Sequence, residues 1–176
     1  MNNMSISVLP KLKQYNTVPD YHLSSTNDKT VSIGQFKQRK NVVLFFFGSV
    51  DCEPCQEKLK EFKEYFNRLE HLTAVFFGIS PEPIEQLKKL KSELELPFDL
   101  LSDTKLEMTN TYTHLREGEK EPVPSIFVID RYNSLNSQWL TVDEKELPDV
   151  IYILRALHSI EIACPECGFF PGSTSL

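Results

Sequence analysis

Val42-Val43-Leu44-Phe45-Phe46-Phe47 is an unbroken apolar run, and Cys52-Glu53-Pro54-Cys55 follows it after a short gap. Such a run predicts a strand that is buried on both faces of a partly parallel sheet. An amphipathic stretch begins at Gln56 and has apolar residues at helical spacing, namely Leu59, Phe62, Phe66 and Leu69. A C-x-x-C pair between a strand and a helix suits thiol–disulfide chemistry, because the helix N-terminus stabilises a thiolate and the second sulfur closes a disulfide.

The composition of the 176-residue chain is ordinary for a globular protein, with 40% hydrophobic and 25% charged residues. The net charge is −6 and there is no basic stripe, which argues against binding to nucleic acid. We expect no membrane association, because no stretch approaches roughly 20 apolar residues and residues 1–13 lack the layout of a secretory signal. We therefore expect a cytoplasmic protein, in which paired cysteines are more often catalytic or metal-binding than structural.

The rest of the chain predicts alternating strands and helices. A small hairpin is expected over residues 18–33, further strands near 73–79, 125–130 and 135–142, and helices that begin near residues 54, 83, 103 and 147. The last two strands should be antiparallel, because the link between them is short. This order predicts an α/β fold with a mixed central sheet flanked by helices.

The domain organisation expected from this pattern is simple. Residues 1–17 form a lead-in, residues 18–162 a single domain, and residues 163–176 a tail that carries a second C-x-x-C. There is no Gly-rich phosphate loop, so no nucleotide cofactor is expected, and no other cofactor is indicated.

Several short segments occur in a characteristic order along about residues 18–158. They are Val18-Pro19-Asp20-Tyr21-His22-Leu23, Phe45-Phe46-Phe47-Gly48-Ser49 leading into Cys52, Gly78-Ile79-Ser80-Pro81, Leu96-Pro97-Phe98, Leu101-Ser102-Asp103 and Val123-Pro124-Ser125-Ile126-Phe127-Val128-Ile129-Asp130. In order and spacing they resemble the redoxin branch of the thioredoxin superfamily. That branch contains the AhpC/TSA-type peroxiredoxins and the TlpA/ResA-like thiol–disulfide oxidoreductases, so the resemblance implies a thioredoxin-like fold.

The resemblance implies site residues of both kinds of enzyme. The oxidoreductases have a C-x-x-C here and a cis-proline before the third strand, which Cys52, Cys55 and Pro124 match. The peroxidases have a Thr or Ser three residues before the peroxidatic cysteine, which Ser49 matches, and an Arg near the third strand that polarises the peroxide. Pro124 stands about where that Arg is expected, and Gly48 replaces the proline that usually opens the peroxidase motif.

We expect Cys52 to be the attacking thiolate, with its pKa lowered by the helix N-terminus, and the more buried Cys55 to resolve the mixed disulfide. The leading interpretation is a thiol–disulfide oxidoreductase that acts on disulfide-containing proteins. An upstream dithiol reductase of the thioredoxin or glutathione type would supply its electrons. The alternative is a peroxiredoxin-like peroxidase, in which a hydroperoxide oxidises Cys52 to a sulfenic acid. A second alternative is a non-catalytic redox-fold or zinc-binding module.

Cys164-Pro165-Glu166-Cys167-Gly168 in the tail resembles one knuckle of a zinc ribbon, but the partner knuckle is absent. Three interpretations are open for Cys164 and Cys167. They form a second redox pair that serves Cys52 and Cys55, a zinc half-site that is completed in a dimer, or part of a tail without chemistry.

Overall fold

The structure is a computed structural model, and it describes residues 8–163. Within that range one sheet has seven strands, which are β1 (Leu23–Ser25), β2 (Thr30–Val31), β3 (Asn41–Phe46), β4 (Ala74–Ser80), β5 (Leu100–Ser102), β6 (Ser125–Ile129) and β7 (Leu135–Leu140). The α-helices are α1 (Glu53–Glu64), α2 (Phe66–His71), α3 (Ile84–Glu93), α4 (Glu107–Tyr112) and α5 (Val150–Ile162). Ile33–Phe36 and Glu144–Glu146 form short 3-10 helices.

β3 lies inside the sheet, whose strand order is β2-β1-β5-β4-β3-β6-β7. It pairs in parallel with β4 and antiparallel with β6, and all of its residues are buried. Val43 and Phe45 face one apolar core, whereas Leu44 and Phe46 face a second core. The predicted strand with two buried faces and the predicted mixed sheet flanked by helices are both confirmed.

The two cores are rich in aromatic side chains. In the first core, Phe62 of α1 stacks on Phe76 of β4 with ring centroids 4.1 Å apart, and Phe98 meets Phe76 edge-on at 4.4 Å. In the second core, the Tyr112 hydroxyl of α4 donates a 2.6 Å hydrogen bond to the Pro19 carbonyl. Burial raises the pKa of Tyr112, so this hydroxyl stays a donor. The bond fixes the segment that leads into β1.

Several predicted elements are confirmed, with shifts at their ends. The N-terminal hairpin is the antiparallel pair of β1 and β2, and the last two strands, β6 and β7, are antiparallel as expected. The helix expected from residue 103 begins at Glu107, because Leu106 has a left-handed backbone with a φ of 59°. Asp103 caps this helix from outside, since its carboxylate accepts hydrogen bonds from the Thr109 N–H and hydroxyl.

Two features differ from the expected pattern. The single helix expected after Cys52 is divided into α1 and α2, because Tyr65 departs from helical geometry with a φ of −96° and a ψ of 7°. The segment around Leu100 and Leu101, expected to be a connection, is the short strand β5, which joins β4 in parallel and β1 antiparallel. None of the helices in the described range has the length and apolar character needed to cross a bilayer.

We predict that Gly78→Ala lowers the free energy of unfolding by about 1–3 kcal/mol, the usual cost of overpacking a core. A Cβ atom at Gly78 of β4 would lie 2.7 Å from Leu100 Cδ2, 3.1 Å from Phe47 Cε1 and 3.3 Å from Leu59 Cδ2. All three neighbours are fully buried and have no free volume to move into. Urea unfolding measures the change, and a midpoint equal to that of the wild type would contradict it.

Candidate active site

The loop that joins β3 to α1 crosses the carboxyl edge of the sheet. The Phe47 N–H donates to the Ile79 carbonyl at 3.0 Å, which extends the pairing with β4 by one residue. The buried Ser80 hydroxyl donates to the Gly48 carbonyl at 2.6 Å. These two bonds fix the start of the loop, and the loop ends at Cys52, which is the N-cap of α1.

Cys52 and Cys55 form a disulfide across the first turn of α1, with their Cα atoms 5.2 Å apart. Cys55 is 1% exposed and belongs to the first core, whereas Cys52 is half-buried. The Cys52 Sγ accepts a 3.3 Å hydrogen bond from the Cys55 N–H, so this sulfur lies among the unpaired amides of the helix start. The prediction that the two sulfurs are close enough to bond is confirmed. Their attacking and resolving roles remain predictions.

Ser49 shapes the turn that leads to Cys52. Its hydroxyl accepts a 3.1 Å hydrogen bond from the Asp51 N–H, and its carbonyl accepts a 3.2 Å bond from the Cys52 N–H. The side chain therefore stabilises the backbone conformation that presents the first sulfur. Its expected role in orienting a peroxide remains a prediction.

Gly48 allows a second loop to approach the cysteine loop. A Cβ atom at Gly48 would lie 2.8 Å from Glu121 Oε2 and 3.1 Å from Glu121 Cβ. Glu121 belongs to the connection between α4 and β6, and in that connection Leu115 bridges Pro122 in antiparallel fashion. A larger residue at position 48 would force the Glu121 side chain to move.

Pro124 lies at the same sheet edge, directly before β6, because the next residue, Ser125, pairs with Phe46 at the end of β3. The described residues contain no cis peptide bond, so the expected cis bond before Pro124 is wrong. The trans form is the intrinsically favoured one, and the backbone is paired on both sides of it. The Val123 N–H donates to the His114 carbonyl at 2.7 Å, and the Pro124 carbonyl accepts from the Thr141 N–H at 3.1 Å. A role for Pro124 in a substrate groove remains a prediction.

Two charged residues that the sequence analysis did not identify lie at the disulfide. Glu144, in the short 3-10 helix after β7, places its Oε1 atom 4.0 Å from the Cys52 Sγ. The same oxygen accepts a hydrogen bond from Nη2 of Arg116, in the loop before β6. Glu144 is 92 residues from Cys52 in the chain, and no local motif marks either side chain. Only the pairing of β6 with β3 and β7 brings them together.

The ligand atoms of Cys52, Cys55 and Glu144 all lie within 4.8 Å of one another. Two sulfurs bonded to each other are not metal ligands, so a metal ion would require the reduced dithiol. Arg116 also competes for the carboxylate, which makes this cluster a poor cation site. Cys164 and Cys167 lie outside the described residues, so their proposed redox or zinc role remains a prediction.

A groove of about 530 Å³ runs beside the disulfide along the start of α1. Its charged lining is mainly acidic and consists of Glu53, Glu57, Glu61, Glu144 and Asp149, with Lys58 and Lys145. Lys58 is engaged within the protein, because its Nζ donates to Glu61 and to the Pro148 carbonyl. Acidic side chains therefore outnumber basic ones in the lining, although Glu57 pairs with Lys60 and Glu144 with Arg116.

Comparison with known proteins gives concordant matches. The sequence profile of the AhpC/TSA family matches residues 15–137. Peroxiredoxin Bcp of Bacillus subtilis is 27% identical over 149 residues, which cover 81% of this chain and 91% of that protein. A putative peroxiredoxin Bcp of Helicobacter pylori is 29% identical over 104 residues, or 59% and 68% of the two chains. Peroxidoxin BcpB of Mycobacterium tuberculosis shares the fold, with a TM-score of 0.76, 20% identity, and coverage of 85% and 98%.

We predict that iodoacetamide alkylates the reduced protein at Cys52 before Cys55, because Cys52 is partly exposed whereas Cys55 is 1% exposed. Glu144→Gln should raise the alkylation rate at neutral pH by about 3- to 10-fold, because it removes a negative charge that disfavours the nearby thiolate. Peptide mass spectrometry gives both the site and the rate.

Glu161→Gln is the matched control, since Glu161 pairs with Arg131 and has no contact with the cysteines. First labelling at Cys55, or equal rates in Glu144→Gln and the wild type, would contradict the prediction.

Proposed function

The chain belongs to the AhpC/TSA family, and we propose that it is a peroxiredoxin-like thiol peroxidase with Cys52 and Cys55 as its redox couple. The observation that carries the proposal is the Cys52–Cys55 disulfide at the start of α1. A thiol-dependent oxidoreductase fits both the family and this geometry. The sequence alone favoured disulfide reduction, but the curated relatives are named peroxiredoxins, and they favour the peroxidase.

The proposed reaction begins with the Cys52 thiolate, which attacks one oxygen of a hydroperoxide. An S–O bond forms, the O–O bond breaks, and an alcohol or water leaves while Cys52 becomes a sulfenic acid. The Cys55 thiol then attacks the sulfur of Cys52, so that the disulfide forms and water leaves. An external dithiol reduces the disulfide by exchange and is itself oxidised.

The positions of the two sulfurs support this sequence of steps. Cys52 is partly exposed at the helix start, where the free amides favour a thiolate, and a small peroxide reaches it from solvent. Cys55 lies one turn further, inside the core, and bonds to Cys52 within a single helical turn. Resolution therefore needs no large movement of the backbone.

The proposed reductant is a dithiol protein of the thioredoxin type. The acidic groove beside the disulfide complements a partner that carries basic residues around its own dithiol. Dithiols of this kind are kept reduced in the cytoplasm, which is the compartment we propose for this protein.

Disulfide reduction is the second candidate function, and two features at the sheet edge favour it. The redox couple is a C-x-x-C pair, and Pro124, rather than a cation, directly precedes β6. In this interpretation Cys52 attacks a protein disulfide instead of a peroxide. The upstream dithiol and the roles of Cys52 and Cys55 are the same in both candidates.

We predict that Cys52→Ser abolishes hydrogen peroxide consumption, whereas reduced Cys55→Ser consumes about one equivalent and then stops. Both variants also carry Cys164→Ser and Cys167→Ser, so that no tail thiol can replace Cys55. The first variant lacks the nucleophile, and the second forms a sulfenic acid that it has no thiol to resolve. Consumption by the wild type is followed with a thioredoxin-type dithiol as reductant, and consumption by the reduced variants is followed without added thiol; dimedone labelling with mass spectrometry locates the sulfenic acid.

Insulin disulfide reduction, measured on the same preparation, separates the two candidates. A wild-type protein that reduces insulin rapidly but consumes peroxide no faster than free cysteine would overturn the peroxidase and favour the disulfide reductase.

A further inference from the structure

We propose that the groove between α2 and α5 is a docking site for an acidic amphipathic helix of a partner protein. This groove has a volume of about 640 Å³. Residues 68–72, at the end of α2, form one wall, and residues 151–159 of α5 form the other. It shares no lining residue with the acidic groove beside the disulfide. The proposal therefore concerns a separate surface and does not rest on the proposed peroxidase function.

The first step of the argument is the composition of α5. The helix is apolar except at Arg155, His158, Ser159 and Glu161. Its inner side packs on the first core, yet its outer side still carries Tyr152 and Ile162, which are 51% and 50% exposed. A surface helix normally has polar residues on its outer side, so apolar residues on both sides indicate that a further surface covers α5.

The second step is the aliphatic floor of the groove, which consists of Leu72, Ile151 and Leu154. Leu154 is buried in the first core, and Leu72 and Ile151 are partly buried against it, so all three lie deeper than the exposed basic residues of the lining. The wall from Ile151 to Ser159 covers about two turns of α5, or roughly 12 Å. A helix that docks in a groove presents apolar residues over about the same two turns.

The third step is the charge of the rim. The ionisable side chains that line the groove are all basic, namely Arg68, His71, Arg155 and His158. Within the part of the chain that the structure describes, none of the four forms a salt bridge. Glu161, the only acidic residue of α5, pairs with Arg131 instead. The rim is thus a local basic surface on a chain of net charge −6, and it complements an acidic partner.

The fourth step is the position of the two arginines. The Arg68 guanidinium lies 5.8 Å from the ring centroid of Tyr65, and that of Arg155 lies 5.5 Å from the ring centroid of Tyr152. A tyrosine ring holds a guanidinium through its electron-rich face without neutralising it. Both arginines therefore keep their charge and their N–H donors for the carboxylates of a partner. Arginine and tyrosine are also the residue types that contribute most to binding at interfaces.

An acidic amphipathic helix fits the floor and the rim together. Its apolar face would cover the aliphatic floor, and glutamates on either side of that face would pair with the arginines of the two walls. A small inorganic anion would leave the floor exposed to water. An anionic bilayer attracts surfaces with several clustered basic residues, and the net charge of −6 opposes such adsorption.

The test measures binding of a fluorescein-labelled helical peptide of about 16 residues by fluorescence anisotropy. The peptide has leucines at i, i+3, i+4 and i+7 spacing and glutamates on both sides of them, and a control peptide has lysine in place of each glutamate. The protein variants are the double variant Arg68→Gln/Arg155→Gln and the control Arg39→Gln. Arg39 is exposed, lies outside the groove and has no salt bridge with a described residue. No peroxide or reductant is present, so the result is independent of the proposed peroxidase function.

We expect saturable binding of the glutamate peptide to the wild type and to Arg39→Gln. The double variant should bind it about 3- to 30-fold more weakly, because two exposed charge pairs are lost. Raising the salt concentration from about 50 to 300 mM should weaken binding to the wild type more than binding to the double variant, since salt screens these pairs. The lysine peptide should bind more weakly than the glutamate peptide.

Three results would overturn the proposal. They are no saturable binding up to about 1 mM glutamate peptide, equal affinity of the double variant and the wild type, and equal affinity of the two peptides. Circular dichroism checks that the double variant is folded, and the two single variants, Arg68→Gln and Arg155→Gln, replace it if it is not.

Other occupants of the groove give results that also overturn the proposal. Binding to phosphatidylglycerol vesicles that is lost in the double variant would assign the groove to a membrane. A dimer in sedimentation velocity that the double variant does not form would assign it to a second copy of this chain. A peptide of residues 164–176 that binds more tightly than the glutamate peptide, and only when both arginines are present, would assign it to the tail.

Discussion

The burial of β3 on both faces is the constraint on which the rest of the structure depends. Every residue of this strand is buried, so each face of the sheet needs its own apolar core. β3 pairs with β4 on one side and with β6 on the other, so neither side of the strand is free. After the last residue of the strand, the chain reaches the carboxyl edge of the sheet. The next residues must turn across that edge. The turn ends at Cys52, so the position of the reactive sulfur follows from the position of the strand.

The amino end of β3 is stabilised differently from the carboxyl end. Asn41 is buried there, and its side-chain amide donates to Glu161 and to the Leu72 carbonyl while its oxygen accepts from the Arg131 N–H. These bonds satisfy a polar group that would otherwise be costly to bury. The carboxyl end instead faces the loop of the cysteines and the Arg116–Glu144 pair. The strand therefore separates a structural ion pair, Arg131–Glu161, from one that lies at the redox couple.

Most of the fold could be predicted from periodicity, because long buried strands and amphipathic helices have strong patterns. β5 was missed since three residues carry no periodic signal, and its pairing with β1 and β4 decides its conformation. The break at Tyr65 has no proline or glycine to mark it. At the candidate site, the local C-x-x-C motif was enough to predict that Cys52 and Cys55 lie close together. Arg116 and Glu144 were missed because long-range strand pairing, which the sequence does not display, places them.

The replacement of an expected arginine by Pro124 gains a physical explanation from this pairing. The residue before β6 takes part in the backbone pairing, because the Pro124 carbonyl accepts a hydrogen bond from the Thr141 N–H. The chain after Thr141 continues into the 3-10 helix that contains Glu144. The loop before β6 ends at the same edge of the sheet as the cysteine loop. Because Gly48 has no side chain, Glu121 of the loop before β6 can lie against the cysteine loop. At that edge Arg116 pairs with Glu144, whose Oε1 atom lies 4.0 Å from the Cys52 Sγ, so an ion pair built by long-range strand pairing lies beside a redox couple built by a local motif.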